Sequence, residues 1–272
     1  MSGHFFLEST MRGFGSALSR ALVSEQTARR PGLLQALDPR VRLVGLFALV
    51  LASTLSRRLP VVAALFLVAV ILAIASRVNL FSLATRVWLI ALAFTGVIAL
   101  PAIFITPGKA VLAFPALGLA ITEQGLRTAA LLILRVETAM TLTTTLVLST
   151  PWTHILKALR SLHLPAEVVM MLAMTHRYIF LLIETANQMF ESRQSRIVGT
   201  LPPAERRRMA ARTAGVLLGK SIDLSNEVYL AMQSRGFRGD IQVLSDFRMR
   251  AWDYAGLAIF LCAGCAAAWM GR

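Results

Sequence analysis

Ser234, Arg235 and Gly236 close the stretch "AMQSRGF" (231–237), and Ser195 and Arg196 stand in a similar stretch, "RQSRIVG" (193–199). An arginine in the last turn of a helix complements the negative end of its dipole, and glycine accepts the left-handed conformation that stops helices. Capping accounts for one such end. Two matched ends need a further chemistry. A guanidinium pairs bidentately with carboxylates and stays charged throughout a working cycle. Small Ser195, Ser234 and Gly236 would let a partner surface approach the backbone beside it. Arg193 is a supporting candidate, although a solvated surface charge is its simpler reading.

Other residue types with chemical potential are placed less favourably. Arg135 and Glu137 fall inside the apolar run 125–148, where charges normally face protein rather than lipid. Two residues apart, they do not share a helix face and need separate partners on neighbouring helices. Ion pairs that fix helix packing and a role in transport both fit them. Cys262 and Cys265 form a CxxC inside "LAIFLCAGCAAAW", whereas a redox or metal pair needs polar, partly exposed surroundings. They read as structural. His154, His163 and His176 show no HxxxH or His-carboxylate spacing, which argues against a metal carried by this chain. A Walker lysine loop, a nucleophile elbow and paired catalytic carboxylates are missing from the sequence. The expectation is therefore no catalytic residue, no metal and no bound cofactor, with any ATP hydrolysis supplied by a partner.

The elements that must position these residues have membrane character. Hydrophobic residues make up 56% of the 272 and charged ones only 15%, against roughly a quarter charged in a soluble domain. The first span candidate is "RLVGLFALVLASTL" (42–55), introduced by Asp38-Pro39 as cap and first helical residue. After Ser56-Arg57-Arg58 comes "LPVVAALFLVAVILAIA" (59–75), so the two form a tight hairpin. The third is "VWLIALAFTGVIALPAIFI" (87–105), which Pro101 should kink or end. Residues 106–122, punctuated by Pro and Gly, read as an outer loop with a short hairpin. The fourth span is 125–148, and the last is 251–270 with Trp252, Tyr254 and Trp269 as interface anchors.

Between the last two spans lie two long helices. One starts at Pro165 and runs to 191–199; the other starts near Pro202-Pro203 and runs to 231–239. Arg206, Arg207, Arg208 and Arg212 crowd the first turns of the second, which the helix dipole disfavours, so lipid headgroups or an acidic partner suit them better. Residues 168–183 compete as a sixth span, but Arg177 at the bilayer centre would cost about 2.5–3.5 kcal/mol. A helix that skims the inner surface is preferred. At the N-terminus Leu7, Met11, Phe14, Leu18 and Leu22 recur at helical steps, the pattern of a surface-lying amphipathic helix.

The fold expected is all-α: a polytopic membrane protein with about five transmembrane helices and long cytoplasmic coupling helices. Its parts are a cytoplasmic amphipathic segment (1–41), a four-helix membrane region (42–149), a coupling-helix domain (150–250) and a final span (251–272). The net charge of +14 would suggest nucleic acid in a soluble protein. Here the basic residues follow topology. The N-terminal segment, Arg77, Arg86 and the long basic region fall on one side, and Arg57, Arg58, Lys109 and Arg272 on the other. The positive-inside rule then puts the N-terminus in the cytoplasm and removes nucleic acid as a partner.

With its spans followed by two arginine-ended helices, the chain resembles the transmembrane T component of an energy-coupling factor (ECF) transporter. "AMQSRGF" resembles the family's second Ala-Arg-Gly-type motif, and "RQSRIVG" resembles the first, with Ile197 in place of the motif glycine. "LDPRVRL" (37–43) and "LASTLSRR" (51–58) are similar to the cobalt-type, CbiQ-like branch. The resemblance implies a non-catalytic scaffold that links two cytoplasmic ATPase subunits, which use ATP and Mg, to a membrane substrate-binding component in a bacterial inner membrane. It assigns ATPase coupling to Ser195, Arg196, Ser234, Arg235 and Gly236, with cobalt first among substrates and nickel or a vitamin as alternatives. The rival from another class is a membrane-embedded metal channel or enzyme.

Overall fold

The computed structural model describes residues 32–105, 110–114, 119–196, 202–237 and 249–272. The amphipathic pattern over residues 7–22 and the end of the first motif from Ile197 onward lie outside these. In chain order the elements are α1 (Leu33–Ala36), α2 (Pro39–Leu55), α3 (Leu59–Ala75), and α4 (Leu80–Leu83), which a π-helical turn (Ala84–Trp88) joins to α5 (Leu89–Ile105). A hairpin of β1 (Ala110–Phe114) and β2 (Leu119–Thr122) follows, then α6 (Glu123–Ser149), α7 (Trp152–Ser161), α8 (Ala166–Gln194), α9 (Pro203–Ser234) and α10 (Ala251–Met270). The strands pair antiparallel, Phe114 opposite Leu119, in the segment expected to form an outer loop with a hairpin. Pro101 lies inside α5, which continues to Ile105.

The chain is a multi-pass, essentially all-α membrane protein. Helices α6, α8 and α10 are long and apolar enough to cross a bilayer, and α3 and α5 are shorter apolar helices. Two compact units are formed, one from Glu25–Ala158 with Phe247–Arg272 and one from Leu159–Asp246.

In the first unit α2 and α10 pack side by side and run parallel, in a register that holds from end to end. At their start the Asp38 amide donates to Asp253 Oδ1 at 2.7 Å. The aromatic ring of Phe260 lies against Gly45, where a Cβ would come within 2.6 Å of it, so only glycine permits this approach. At their end Ser56 Oγ donates to the Ala267 carbonyl at 3.2 Å and the Arg57 amide to the Gly271 carbonyl at 2.6 Å. The local chemistry explains the start of each helix. Asp38 caps α2 by accepting from the Arg40 amide, with Pro39 pre-set at the first position, and Asp253 Oδ2 accepts from the Arg250 amide before α10.

Arg42 ties the remaining elements to this end. It is 4% exposed, and its guanidinium donates to the Gln35, Leu37 and Ser149 carbonyls and to Thr150 Oγ1 at 2.7–3.3 Å. Those carbonyls belong to the last turns of α1 and α6, where unpaired acceptors and the negative dipole end favour a cation. Gln35 Nε2 also holds the Ser76 carbonyl just past α3, so α3 ends at the same place. Thus α3 and α6 run antiparallel to α2 and α10. The chain leaves this bundle at Thr150 and rejoins it at Asp253, on one and the same end.

Apolar packing fills the interior between these anchors. Val41, Leu46, Leu49, Leu65, Leu142 and Phe260 form the main buried cluster. The buried face of α6 is otherwise hydroxyl-bearing: Thr138, Thr141, Thr145 and Ser149 are fully buried. Thr138 and Thr141 return their hydroxyls to carbonyls of the preceding turn, which lets a polar stripe face other helices closely. The π-helical turn brings Trp88 onto this stripe, where its Nε1 donates to Thr141 Oγ1 at 3.0 Å and its ring meets Phe66 at 5.5 Å.

Replacing Arg42 by Leu leaves buried carbonyls without donors, at about 1–3 kcal/mol for each unsatisfied group. The expected result is a clearly lower thermal midpoint in detergent than for R57L, whose target carries no such clamp. Equal midpoints for the two variants would contradict the assignment.

Candidate functional site

The candidate coupling residues sit in the second unit, at the C-terminal ends of α8 and α9. Ser195 follows the last residue of α8 with helical backbone angles, and its Oγ donates to the Ser192 carbonyl at 2.9 Å. Ser234 ends α9, and its Oγ donates to the Ala231 carbonyl, also at 2.9 Å. The arginine amides that follow repeat the match: Arg196 donates to the Arg193 carbonyl at 3.1 Å and Arg235 to the Met232 carbonyl at 3.2 Å. In both ends the serine hydroxyl turns back onto its own helix, and Arg196 and Arg235 are exposed. No ion pair joins either guanidinium to another described residue. Arg193 is half-buried on the last turn of α8.

The second end is completed by a full Schellman arrangement. Gly236 takes φ +78°, its amide donates to the Gln233 carbonyl at 3.0 Å, and the Phe237 amide donates to the Met232 carbonyl at 3.1 Å. This geometry turns Phe237 back toward Met232, the apolar contact that accompanies such caps. Both line a mainly apolar groove of about 410 Å³ between α8 and α9, with Met170, Met174, Tyr178 and Tyr229. The aromatic lining of this groove was not part of the sequence reading. A bulky residue directly after an arginine-glycine cap is the signal that points to it.

The two ends do not form one cluster. Helix α9 rises about 1.5 Å per residue, so Arg235 lies about 48 Å from Pro203 along the axis. The chain from Arg196 to Pro203 spans at most about 25 Å when extended. The two arginines are therefore more than about 20 Å apart.

Arg135 and Glu137 lie in the other unit, within α6. Arg135 donates to the Ser56 carbonyl at the end of α2, which makes it a packing anchor. Glu137 is buried, and neither carboxyl oxygen has a hydrogen-bond partner among the described residues. The pair is not shared, in keeping with their two-residue spacing. Cys262 and Cys265 are unpaired and exposed on α10. His163 occupies a turn with φ +66°, and His176 sets its ring edge-on to Phe180 at 5.1 Å. Among the described residues no group of three or more His, Cys, Asp or Glu is placed to hold a metal ion.

A family model described as cobalt transport protein, CbiQ, matches residues 32–244. The chain is 31% identical over 245 residues to the uncharacterized protein MJ1571 of Methanocaldococcus jannaschii, covering 88% of this chain and 83% of that one. It is 31% identical over 157 residues to the cobalt transport protein CbiQ of Rhodobacter capsulatus, covering 56% of this chain and 63% of the relative. To the nickel permease LarQ of Lactiplantibacillus plantarum it is 34% identical over 112 residues, covering 41% and 40%.

The left-handed Gly236 gives a direct test of the cap. Gly236→Ala forces a Cβ into that conformation at about 1–2 kcal/mol. The amides of residues 232–237 should then exchange with deuterium roughly 5- to 30-fold faster, while those of α2 are unchanged. Unaltered exchange at α9's end would contradict the cap.

Proposed function

The chain belongs to the CbiQ family of cobalt transport proteins, and on that premise we propose that it is the transmembrane coupling subunit of an ATP-driven importer of the energy-coupling factor type. Two cytoplasmic ATPase subunits use ATP and Mg, and this chain passes their motion to a separate membrane subunit that binds substrate. Cobalt is the favoured substrate. Nickel is the second reading, supported by the similarity to a nickel permease. The choice between them rests with the substrate-binding subunit, and this chain itself carries out no catalysis.

One observation carries the reading: the helix ends at Ser195-Arg196 and Ser234-Arg235 repeat one backbone and hydroxyl geometry, and both leave an exposed guanidinium. Each arginine enters a groove of one ATPase subunit and pairs there with carboxylates. A separation of more than about 20 Å suits one arginine per subunit better than two in a single groove. Closure of the ATPase pair moves the two ends, and α8 and α9 act as levers. The methionines of the groove, Met170, Met174 and Met232, allow repacking as the levers move, because thioethers adapt to changing shapes.

The bundle supports the sidedness of this reading, because the chain leaves it at Thr150 and rejoins it at Asp253 on the same end. Helix α9 is not among the described helices long and apolar enough to cross, which supports reading α8 as a helix that does not cross alone. This supports α8 and α9 on the cytoplasmic face of a bacterial inner membrane, with the N-terminus on the same side.

Replacing Arg196 and Arg235 together by Glu should abolish co-purification of the ATPase subunits while the chain still inserts in the membrane. Arg235→Ala alone should weaken ATPase binding by roughly 10- to 100-fold, the worth of a charge-assisted hydrogen bond. Normal assembly of the double variant would overturn the proposal.

A further inference from the structure

Arg57 and Arg58 join α2 to α3 at the end of the bundle opposite Arg42, and both are exposed. The positive-inside rule disfavours arginines there, since the basic majority of the chain is assigned to the other side. Neither the buried clamp nor the coupling ends make use of them. No ion pair or side-chain hydrogen bond joins either guanidinium to another described residue. Arg135 adjoins them: it donates to the Ser56 carbonyl, and its buried Nε meets no acceptor among the described residues. The described carboxylate side chains of this unit lie elsewhere. Asp38 and Asp253 meet at the opposite end. Glu123 begins α6 about 18 Å along the axis from Arg135, and Glu137 falls about 160° round the helix from it. Three cations therefore share one end without a carboxylate partner.

The lengths of the two helices set the depth of this end. Helices α2 and α3 have 17 residues each, about 25 Å of helical rise, against a hydrocarbon core of about 30 Å. Any tilt widens the shortfall. Arginines at the ends of such short helices start just inside the acyl boundary, and their aliphatic stems reach outward to the phosphates. Below them, Leu51 and Leu55 line the last turns of α2, 47% and 64% exposed. A surface that is apolar and then cationic is complementary to one phospholipid, acyl chain below and phosphate above. A free phosphate would meet the arginines alone and leave both leucines uncovered.

We propose that Arg57 and Arg58 hold the phosphate of an anionic phospholipid whose acyl chain runs along Leu51 and Leu55. Arg135, only partly compensated beside them, turns the preference toward headgroups of net negative charge over zwitterionic ones. The site lies wholly within the first unit and is independent of ATPase coupling. The bound phosphate offsets the cost of keeping cations on this side, and it fixes the depth at which the short α2–α3 hairpin sits.

The test uses the full chain with Cys262→Ala and Cys265→Ala, carrying a bimane fluorophore at Leu55→Cys, in phosphatidylcholine vesicles. A small fraction of either phosphatidylglycerol or phosphatidylcholine is spin-labelled near the top of its acyl chain, and quenching of the bimane gives the relative association of each. An arginine beside an anionic headgroup is worth about fivefold, so phosphatidylglycerol should associate about 5- to 25-fold more strongly than phosphatidylcholine. The R57Q/R58Q variant should lose this preference, and R57K/R58K should keep it. Equal quenching by the two lipids with both arginines intact would overturn the proposal, as would a preference that survives R57Q/R58Q. A preference removed by inorganic phosphate at constant ionic strength would make free phosphate the ligand and overturn the lipid assignment.

Discussion

One buried arginine sets the organisation of this protein. A charge taken out of water costs several kcal/mol unless its donors are met, and Arg42 meets them with the carbonyls of two helix ends and a threonine hydroxyl. With the Asp38–Asp253 contact beside it, this polar knot lies where α2 and α10 begin and α6 ends. Hydrophobic packing against lipid could not choose that arrangement, because acyl chains are as apolar as leucine. Directional hydrogen bonds can. The same knot decides that the hundred or so residues between α6 and α10 begin and end on one side.

That constraint shapes what the second unit can do. Two helices each about 45 Å long share one groove between them and can carry two contact points to widely separated places. The two arginine-ended helix termini lie more than about 20 Å apart, and an adaptable groove runs between the helices that carry them. The coupling role proposed above would need such a distribution, with two moving partners held apart and room to yield between them.

Much of this was legible in the residues. Asp38-Pro39 announced the start of α2, and the run 59–75 coincides with α3, because a cap and a proline are local signals that tertiary contacts reinforce. The hairpin before α6 was readable from its prolines and glycines. Less could be read where long-range contacts decide. Arg42 sits in "LDPRVRL" with nothing local to mark it as the centre of a clamp, since its acceptors are over a hundred residues away. The third span begins earlier than hydropathy suggests: α4 and a π-helical turn carry the helix from Leu80, and Trp88's bond to Thr141 is the tertiary contact made there. The threonine stripe of α6 looked like ordinary span sequence, because its significance lies in which face is buried. For the candidate site, the serine-arginine repeat was visible directly, whereas Phe237 emerged only through the geometry of the glycine cap.

The central claim is that the end of α9 is where the motion of an ATPase subunit is felt. Photo-cross-linking from a benzophenone amino acid in place of Ser234, in cells that express the chain with its partner subunits, tests this most directly. The account predicts an adduct with an ATPase subunit that disappears when Arg235 is replaced by Glu. Adducts formed only with lipid or with the substrate-binding subunit, unchanged by that replacement, would contradict it.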